Sequence, residues 1–399
     1  GYDMLNCDNG TYDAWYWAHP PIYMPENCNL ADVEHIKQFV DIPVICAGRL
    51  DPRTAAESIA AGRLDGAGFA RPFLADQAWI TKLEQGREED IRPCILCHNG
   101  CFNMCHYKGV PNDQDLSDSL HLARCAVNAE TMQWNKHYIK KTDSPKTVHI
   151  IGGGIGGMET ARVLALRGHK PIIHEKSGEL GGAFIAASAE SYKGKLRDLL
   201  AWYRREMDKL GVEIRLNDEV SDLSAFGREP VIVATGATPR LLRRVPGYEK
   251  MVEACEYLRG SRQVGETVAV IGGGLTGCEI AYELALQGKK PIIVEMKDDL
   301  ISQKGVCLAN SSYLREWFAL HKTPVYLETT LKEVRDGSIV CTAKDGSEIE
   351  LACDSVISCA GYIPAPIENA KKSALVGDCQ QVGNLRTVIW RAYEAAMKI

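Results

Sequence analysis

Residues Thr147–Lys176 reappear 120 positions later as Thr267–Met296, with 18 of the 30 aligned positions identical. Both copies read as strand, Ile-Gly-Gly-Gly-x-x-Gly turn, helix and strand. Gly152, Gly154 and Gly157 keep the G-x-G-x-x-G spacing in the first copy, and Gly272, Gly274 and Gly277 keep it in the second. Glycine is required there for a tight turn, for close approach of backbone to a pyrophosphate, and for close packing of helix on strand. The helix N-terminus then offers its free N–H groups to the phosphates. Each motif follows an apolar strand, Val148 to Ile151 or Val268 to Ile271, and opens a helix rich in Ala and Leu. About 20 residues on, the next strand ends in an acid, Glu175 or Glu295, placed to bond a ribose 2′-hydroxyl. One chain therefore carries two dinucleotide sites.

A reduced nicotinamide delivers a hydride that a flavin accepts, so paired sites suggest NAD(P)H facing FAD. Glu295 speaks to the choice of nicotinamide, because a carboxylate where the 2′-phosphate of NADPH would sit is a like-charge contact. NADH is favoured, by roughly ten- to a hundredfold once solvation and the nearby Lys297 are allowed for. The net charge of −6 provides no basic footprint for nucleic acid. No apolar run approaches membrane-spanning length, and the start Gly-Tyr-Asp-Met-Leu has neither a basic n-region nor a cleavage signal. The 15 cysteines therefore read as cytoplasmic thiols and metal ligands rather than disulfides.

Cys94, Cys97 and Cys101 stand at C-x₂-C-x₃-C, and Cys125 follows after an insert containing Pro111 and several Asp. Three tightly spaced thiolates and a distant fourth can each take one corner of a [4Fe–4S] cubane; Zn²⁺ is the alternative. The fourth ligand is Cys125 or the nearer Cys105. The remaining ten cysteines, Cys46, Cys278 and Cys359 among them, lie in apolar segments and read as buried small hydrophobes. Before the cysteine cluster, strand and helix alternate: Met4 to Asn6, Leu30 to Phe39, Val44 to Cys46, Arg53 to Ala61 and Gly66 to Phe69. Ala47-Gly48-Arg49 closes one strand and Ala70-Arg71-Pro72 the next. In an eight-stranded barrel the loops after the last two strands form a phosphate pocket, with small residues exposing backbone N–H groups and an Arg supplying charge.

The run Ile42 to Arg49, the run Ala70 to Asp76, the Arg92-Pro93-Cys94 entry to the cluster and the two Rossmann copies, in this order, resemble the NADH:flavin oxidoreductases of the old yellow enzyme superfamily. The likeness is to their multidomain iron–sulfur branch, which includes 2-enoate reductases, bile-acid-inducible oxidoreductases and 2,4-dienoyl-CoA reductase. Tyr12 to Pro21 looks most like the enoate and bile-acid members, and the Arg-Cys-Ala-Val-Asn-Ala around Cys125 resembles the branch's fourth-ligand segment.

The resemblance implies an α/β protein in four parts. Residues 1–92 would be the last strands of an FMN-binding TIM barrel, with an N-terminal part of the barrel missing, and 93–135 an iron–sulfur segment. Residues 145–262 and 350–399 would form an FAD domain around a nested NADH domain at 263–349. Gly48, Arg49, Ala70 and Arg71 would then meet FMN, and Gly152, Gly154, Gly157, Glu175, Gly182, Gly377 and Asp378 would meet FAD. Gly272, Gly274, Gly277 and Glu295 would meet NADH. Cys94, Cys97, Cys101 and Cys125 would hold the cluster. The implied activity is reduction of an activated C=C bond in an enoate, enoyl-CoA or 3-oxo-steroid enone, with electrons passing from NADH through FAD, [4Fe–4S] and FMN. An NADH:acceptor diaphorase and an amine dehydrogenase like trimethylamine dehydrogenase are the competing readings. Tyr12 is the first candidate proton donor and His19 the second, since the C-terminal ends of barrel strands carry the chemistry. The expected partner is a small unsaturated substrate, with neither nucleic acid nor membrane, and the sequence is compatible with a homo-oligomer.

Overall fold

The computed structural model describes residues 1–11, 13–105, 123–303, 305–370 and 374–399. At the N-terminus three short parallel strands, β1 (Leu5–Cys7), β2 (Val44–Ala47) and β3 (Gly66–Gly68), lie in the order β1-β2-β3. Helices Leu30–Lys37 and Pro52–Ala60 connect them. Asp51 caps the second helix by accepting the Thr54 N–H at 2.8 Å, and Pro52 occupies the first turn, where no N–H is needed. Val33, Val44, Cys46, Ala55 and Leu64 bury together between sheet and helices. This is the βα alternation of a barrel segment.

The first dinucleotide copy builds a parallel sheet from β4 (Thr147–Ile151), β5 (Lys170–Glu175), β6 (Glu213–Leu216) and β7 (Val231–Val233), in the order β6-β5-β4-β7. After β8 (Ala237–Pro239) the chain enters a second sheet through β9 (Val252–Glu253), β10 (Thr267–Ile271), β11 (Lys290–Val294) and β12 (Val325–Tyr326). An antiparallel meander follows, made of β13 (Thr330–Arg335), β14 (Ser338–Thr342) and β15 (Glu348–Ala352). Then β16 (Ser355–Ser358) completes the second sheet in the order β12-β11-β10-β16-β9. The first four positions repeat β6-β5-β4-β7, so the duplication extends over the whole sheet. The central strands of both sheets are apolar and buried, as parallel strands covered on both faces must be.

One strand is placed differently from the sequence expectation. Asp354 to Ala360 reads as the resumption of the first Rossmann half, yet β16 pairs with β10, from Val268↔Ser355 to Ile271↔Ser358. An apolar run marks a central strand without saying which sheet holds it. The outer fold resumes later: β17 (Tyr362–Pro364) pairs antiparallel with β8, and Leu375 bridges to Val233. Helix Leu385–Met397, capped by Asn384, then packs on helix Ile155–Leu166 through Ile389, Trp390 and Tyr393. The second unit is thus nested inside the first. Among the described residues, no helix is long and apolar enough to cross a membrane.

Candidate functional site

The two glycine turns show why each glycine is required. Gly152 and Gly272 adopt φ of +109° and +112°, and a Cβ on them would lie 2.5 Å from the Ala234 carbonyl oxygen and 2.6 Å from that of Cys359. A Cβ on Gly157 or Gly277 would stand 1.9 or 1.8 Å from the carbonyl oxygen at the head of its own turn. Gly154 is different: a Cβ there would meet nothing within 4 Å, which leaves an open cradle before the helix. The acids at the strand ends are buried and engaged. Glu175 accepts the Gly153 N–H at 2.7 Å and the Ser177 N–H at 2.8 Å. Glu295 accepts the Gly273 N–H at 2.6 Å and the Lys297 N–H at 2.8 Å. Each carboxylate therefore tightens its own glycine loop.

Around the outer cradle, Gly154 bridges to Gly181, and Gly182 follows at φ +54°. The segment holding Gly377 and Asp378 returns beside the same helix: Val376 donates its N–H to the Val233 carbonyl, and its side chain lies 3.6 Å from where a Cβ on Gly156 would be. Burial raises the Asp378 carboxyl above its usual range, while the Gly383 N–H it accepts at 3.0 Å opposes that rise.

Cys94, Cys97, Cys101 and Cys125 line one small cavity, together with Arg71, His98, Gly100, Ala126 and Val127. Gly100 makes this arrangement possible, because a Cβ on it would lie 2.4 Å from the Ala126 nitrogen and 2.7 Å from the Cys125 carbonyl carbon. The Cys125 strip is also held from the far side, where Trp390 Nε1 donates to the Cys125 carbonyl at 3.0 Å. Leu96 and His98 take left-handed φ of +56° and +54°, strained for non-glycine residues, so the loop coils tightly between its cysteines. Burial pushes the Cys97 and Cys101 thiols up to about 12 and raises Cys125 as well. The side chain of Cys105 lies outside the described residues.

Among the described residues, no three His, Cys, Asp or Glu side chains form a group that could hold one metal ion. A tetrahedral zinc needs all its ligands about 2.3 Å from a single centre, whereas a four-iron cluster gives each thiolate its own iron and spaces the sulfurs apart. What the structure gives is four cysteines lining one pocket. Of the other cysteines, Cys46, Cys278, Cys307, Cys341, Cys353 and Cys379 are buried, and Cys7, Cys28, Cys255 and Cys359 are partly exposed.

A cavity of about 850 Å³ opens at the ends of β2 and β3, lined by His19, Gly48, Arg49, Ala70, Arg71 and Cys94 among others. Its size suits a flavin-sized ligand. Gly48 has φ +97°. Arg49 turns its guanidinium to the carbonyls of Pro21 and Ile22 at 2.9 and 2.8 Å. Arg71 contacts the Pro20 carbonyl at 2.8 Å and His98 Nε2 at 2.7 Å. Burial first, and then the Arg71 cation, hold the His98 imidazole well below its ordinary range. The neutral ring accepts from Arg71 and donates through Nδ1 to Asn310 Oδ1 at 3.0 Å. His19 packs against Phe102 with ring centres 3.8 Å apart. Tyr12 lies outside the described residues.

Sequence reading did not single out His98, Asn99, Asn310 or the buried group formed by Tyr23, Glu279, Lys193 and Glu190. Tyr23 donates to Glu279 at 2.7 Å, and Lys193 bonds Glu279 at 2.8 Å and Glu190 at 3.0 Å. The Tyr23–Glu279 and Lys193–Glu279 contacts join segments far apart in the chain.

Residues 146–378 match the family described as pyridine nucleotide-disulphide oxidoreductase. A cinnamate reductase of Clostridium sporogenes is 37% identical over 412 aligned residues, covering 100% of this chain and 59% of the relative. An NADH oxidase of Thermoanaerobacter brockii is 30% identical, covering 100% of this chain and 62% of the relative. A 2-naphthoyl-CoA reductase structure superposes with a TM-score of 0.83 at 24% identity, over 99% of this chain and 60% of that one. The chain spans about three-fifths of the length of these relatives. It belongs to the pyridine nucleotide-disulphide oxidoreductases, and along its length it is similar to multidomain oxidoreductases of the old yellow enzyme family.

Proposed function

We propose that this chain carries electrons from NADH to a flavin-bearing barrel site that reduces an activated C=C bond, in a small unsaturated acid, thioester or enone, in the cytoplasm. One observation carries the reading. The four-cysteine pocket and the 850 Å³ cavity share a wall, because Arg71, Leu74, Cys94, His98 and Cys101 line both. A cluster in the first would sit against a flavin in the second. When bound, the nicotinamide supplies a hydride, the flavins convert between paired and single electrons, and the cluster carries single electrons.

The residues divide the remaining work. Gly152, Gly154, Gly157 and Glu175, with Gly182, Gly377 and Asp378, hold FAD. Gly272, Gly274, Gly277 and Glu295 hold NADH, and the Glu295 carboxylate disfavours a 2′-phosphate. Cys94, Cys97, Cys101 and Cys125 ligate [4Fe–4S]. Gly48, Ala70, Arg49 and Arg71 border the FMN side, where Arg71 fixes the neutral His98 between flavin cavity and cluster pocket. Tyr12 is the first candidate proton donor to the substrate, and His19, which lines that cavity, is the second.

Anaerobic purification tests this directly. The expected content is about four iron and four sulfide per chain, with FMN beside FAD after acid release, and Cys94→Ala or Cys125→Ala should abolish the iron. FAD alone, with iron present, would favour an NADH:acceptor diaphorase. Stoichiometric zinc without sulfide would remove the electron route.

A further inference from the structure

The two dinucleotide cradles share their backbone pattern down to the segment that closes them, and among their sequence differences one side chain reaches the helix N-terminus. Past the acidic strand end, Gly181 donates its N–H to the Gly153 carbonyl at 2.9 Å in the first copy, and Ile301 donates to Gly273 at 2.8 Å in the second. Leu180 and Leu300 flank the same glycine, 2.5 and 2.6 Å from where its Cβ would be. Three residues beyond these leucines stand Ala183 and Gln303, again 120 positions apart. In the first copy the cradle at Gly154 is open. In the second, Gln303 Oε1 accepts the Leu275 N–H at 3.2 Å and lies 3.2 Å from where a Cβ on Gly274 would project.

We propose that Gln303 is an internal competitor for the inner dinucleotide site: its amide oxygen takes the helix N–H that an incoming pyrophosphate needs, so binding requires the side chain to swing away. This rests on the reading of the inner cradle as the nicotinamide-cofactor site. The chemistry suits a displaceable stopper. A neutral amide makes one ordinary hydrogen bond at the helix N-terminus, which a pyrophosphate with full negative charge outcompetes; a carboxylate would be held there by the helix dipole. On either side of Gln303 the chain is anchored, with Arg315 donating to the Leu300 carbonyl at 3.0 Å and Asn99 to that of Gly305 at 2.5 Å. A rotation of the Gln303 side chain is enough to free the Leu275 N–H. The consequence is a difference in exchange: the cradle with Ala183 keeps its dinucleotide, and the cradle with Gln303 releases one after each turnover.

Equilibrium titration of NAD⁺ into the FAD-loaded full chain tests this without turnover. Removing one neutral competing hydrogen bond is expected to tighten NAD⁺ about fivefold in Gln303→Ala. Gln303→Asn, too short to reach Leu275, should behave the same way while keeping the amide. Gln303→Glu should weaken NAD⁺ at least tenfold, and FAD content should be unchanged throughout. If both Gln303→Ala and Gln303→Asn bind NAD⁺ no more tightly than wild type, the competitor role is wrong. If neither wild type nor any variant binds NAD⁺ while FAD is retained, the assignment of the inner cradle falls, and the proposal with it.

Discussion

On the proposed reading, Glu295 does two jobs whose energies are separable. Its carboxylate accepts the Gly273 and Lys297 N–H groups, and it is only 8% exposed, so truncation strands the buried Gly273 donor and frees the half-buried Lys297 N–H. An alanine there is expected to cost on the order of 1 to 3 kcal/mol. Glu295→Gln keeps an acceptor oxygen and removes the charge, which isolates the electrostatic effect. The expected outcome is a rise of roughly tenfold in kcat/KM for NADPH relative to NADH, with a smaller fall in Tm than alanine gives. An unchanged ratio would show that this carboxylate does not face the ribose. Glycine and glutamate were legible because the turn demands them at fixed spacing. Gln303 was not, since a lone polar residue in a loop follows no period and acquires meaning only from the helix end it touches.

At the level of elements, the coil from Cys94 to Cys101 is held by what packs on it. Gly100 touches the Cys125 strip backbone to backbone, so the one methyl group of Gly100→Ala must push Cys125 out of the pocket. Iron and sulfide are expected to fall below half of wild type while FAD content holds; full iron content would show that Cys125 is not a ligand. The cysteine spacing was legible in sequence because three cysteines lie within eight residues. The placement of β16 was not, because backbone hydrogen bonds carry no side-chain signature and both sheets offer the same apolar edge. The contacts His98 to Asn310, Asn99 to Gly305 and Tyr23 to Glu279 also left no local trace, with partners 212, 206 and 256 residues apart.

Across the whole molecule, the N-terminal segment, the outer fold and the inner fold meet at the buried group of Tyr23, Glu190, Lys193 and Glu279. Burial works against the Lys193 charge, yet Glu279 and Glu190 together keep its ammonium above the ordinary range. Two carboxylates share one cation, and burial pushes Glu190 up to about 7. A carboxyl raised on folding takes up a proton in the folded state, so its stabilising contribution is full below its ordinary value and is lost as pH rises through about 7. Glu190→Gln is therefore expected to raise Tm at pH 8 and to lose that advantage toward pH 5, with a difference on the order of 1 to 3 kcal/mol. A constant gap across this range would show that Glu190 stays ionised. The same meeting point bears on the proposed electron route. Among the described residues, the inner fold is tied to the N-terminal segment through Glu279, Asn310 and Gly305. On that proposal these ties would hold donor and acceptor at one separation, as a soldered joint does.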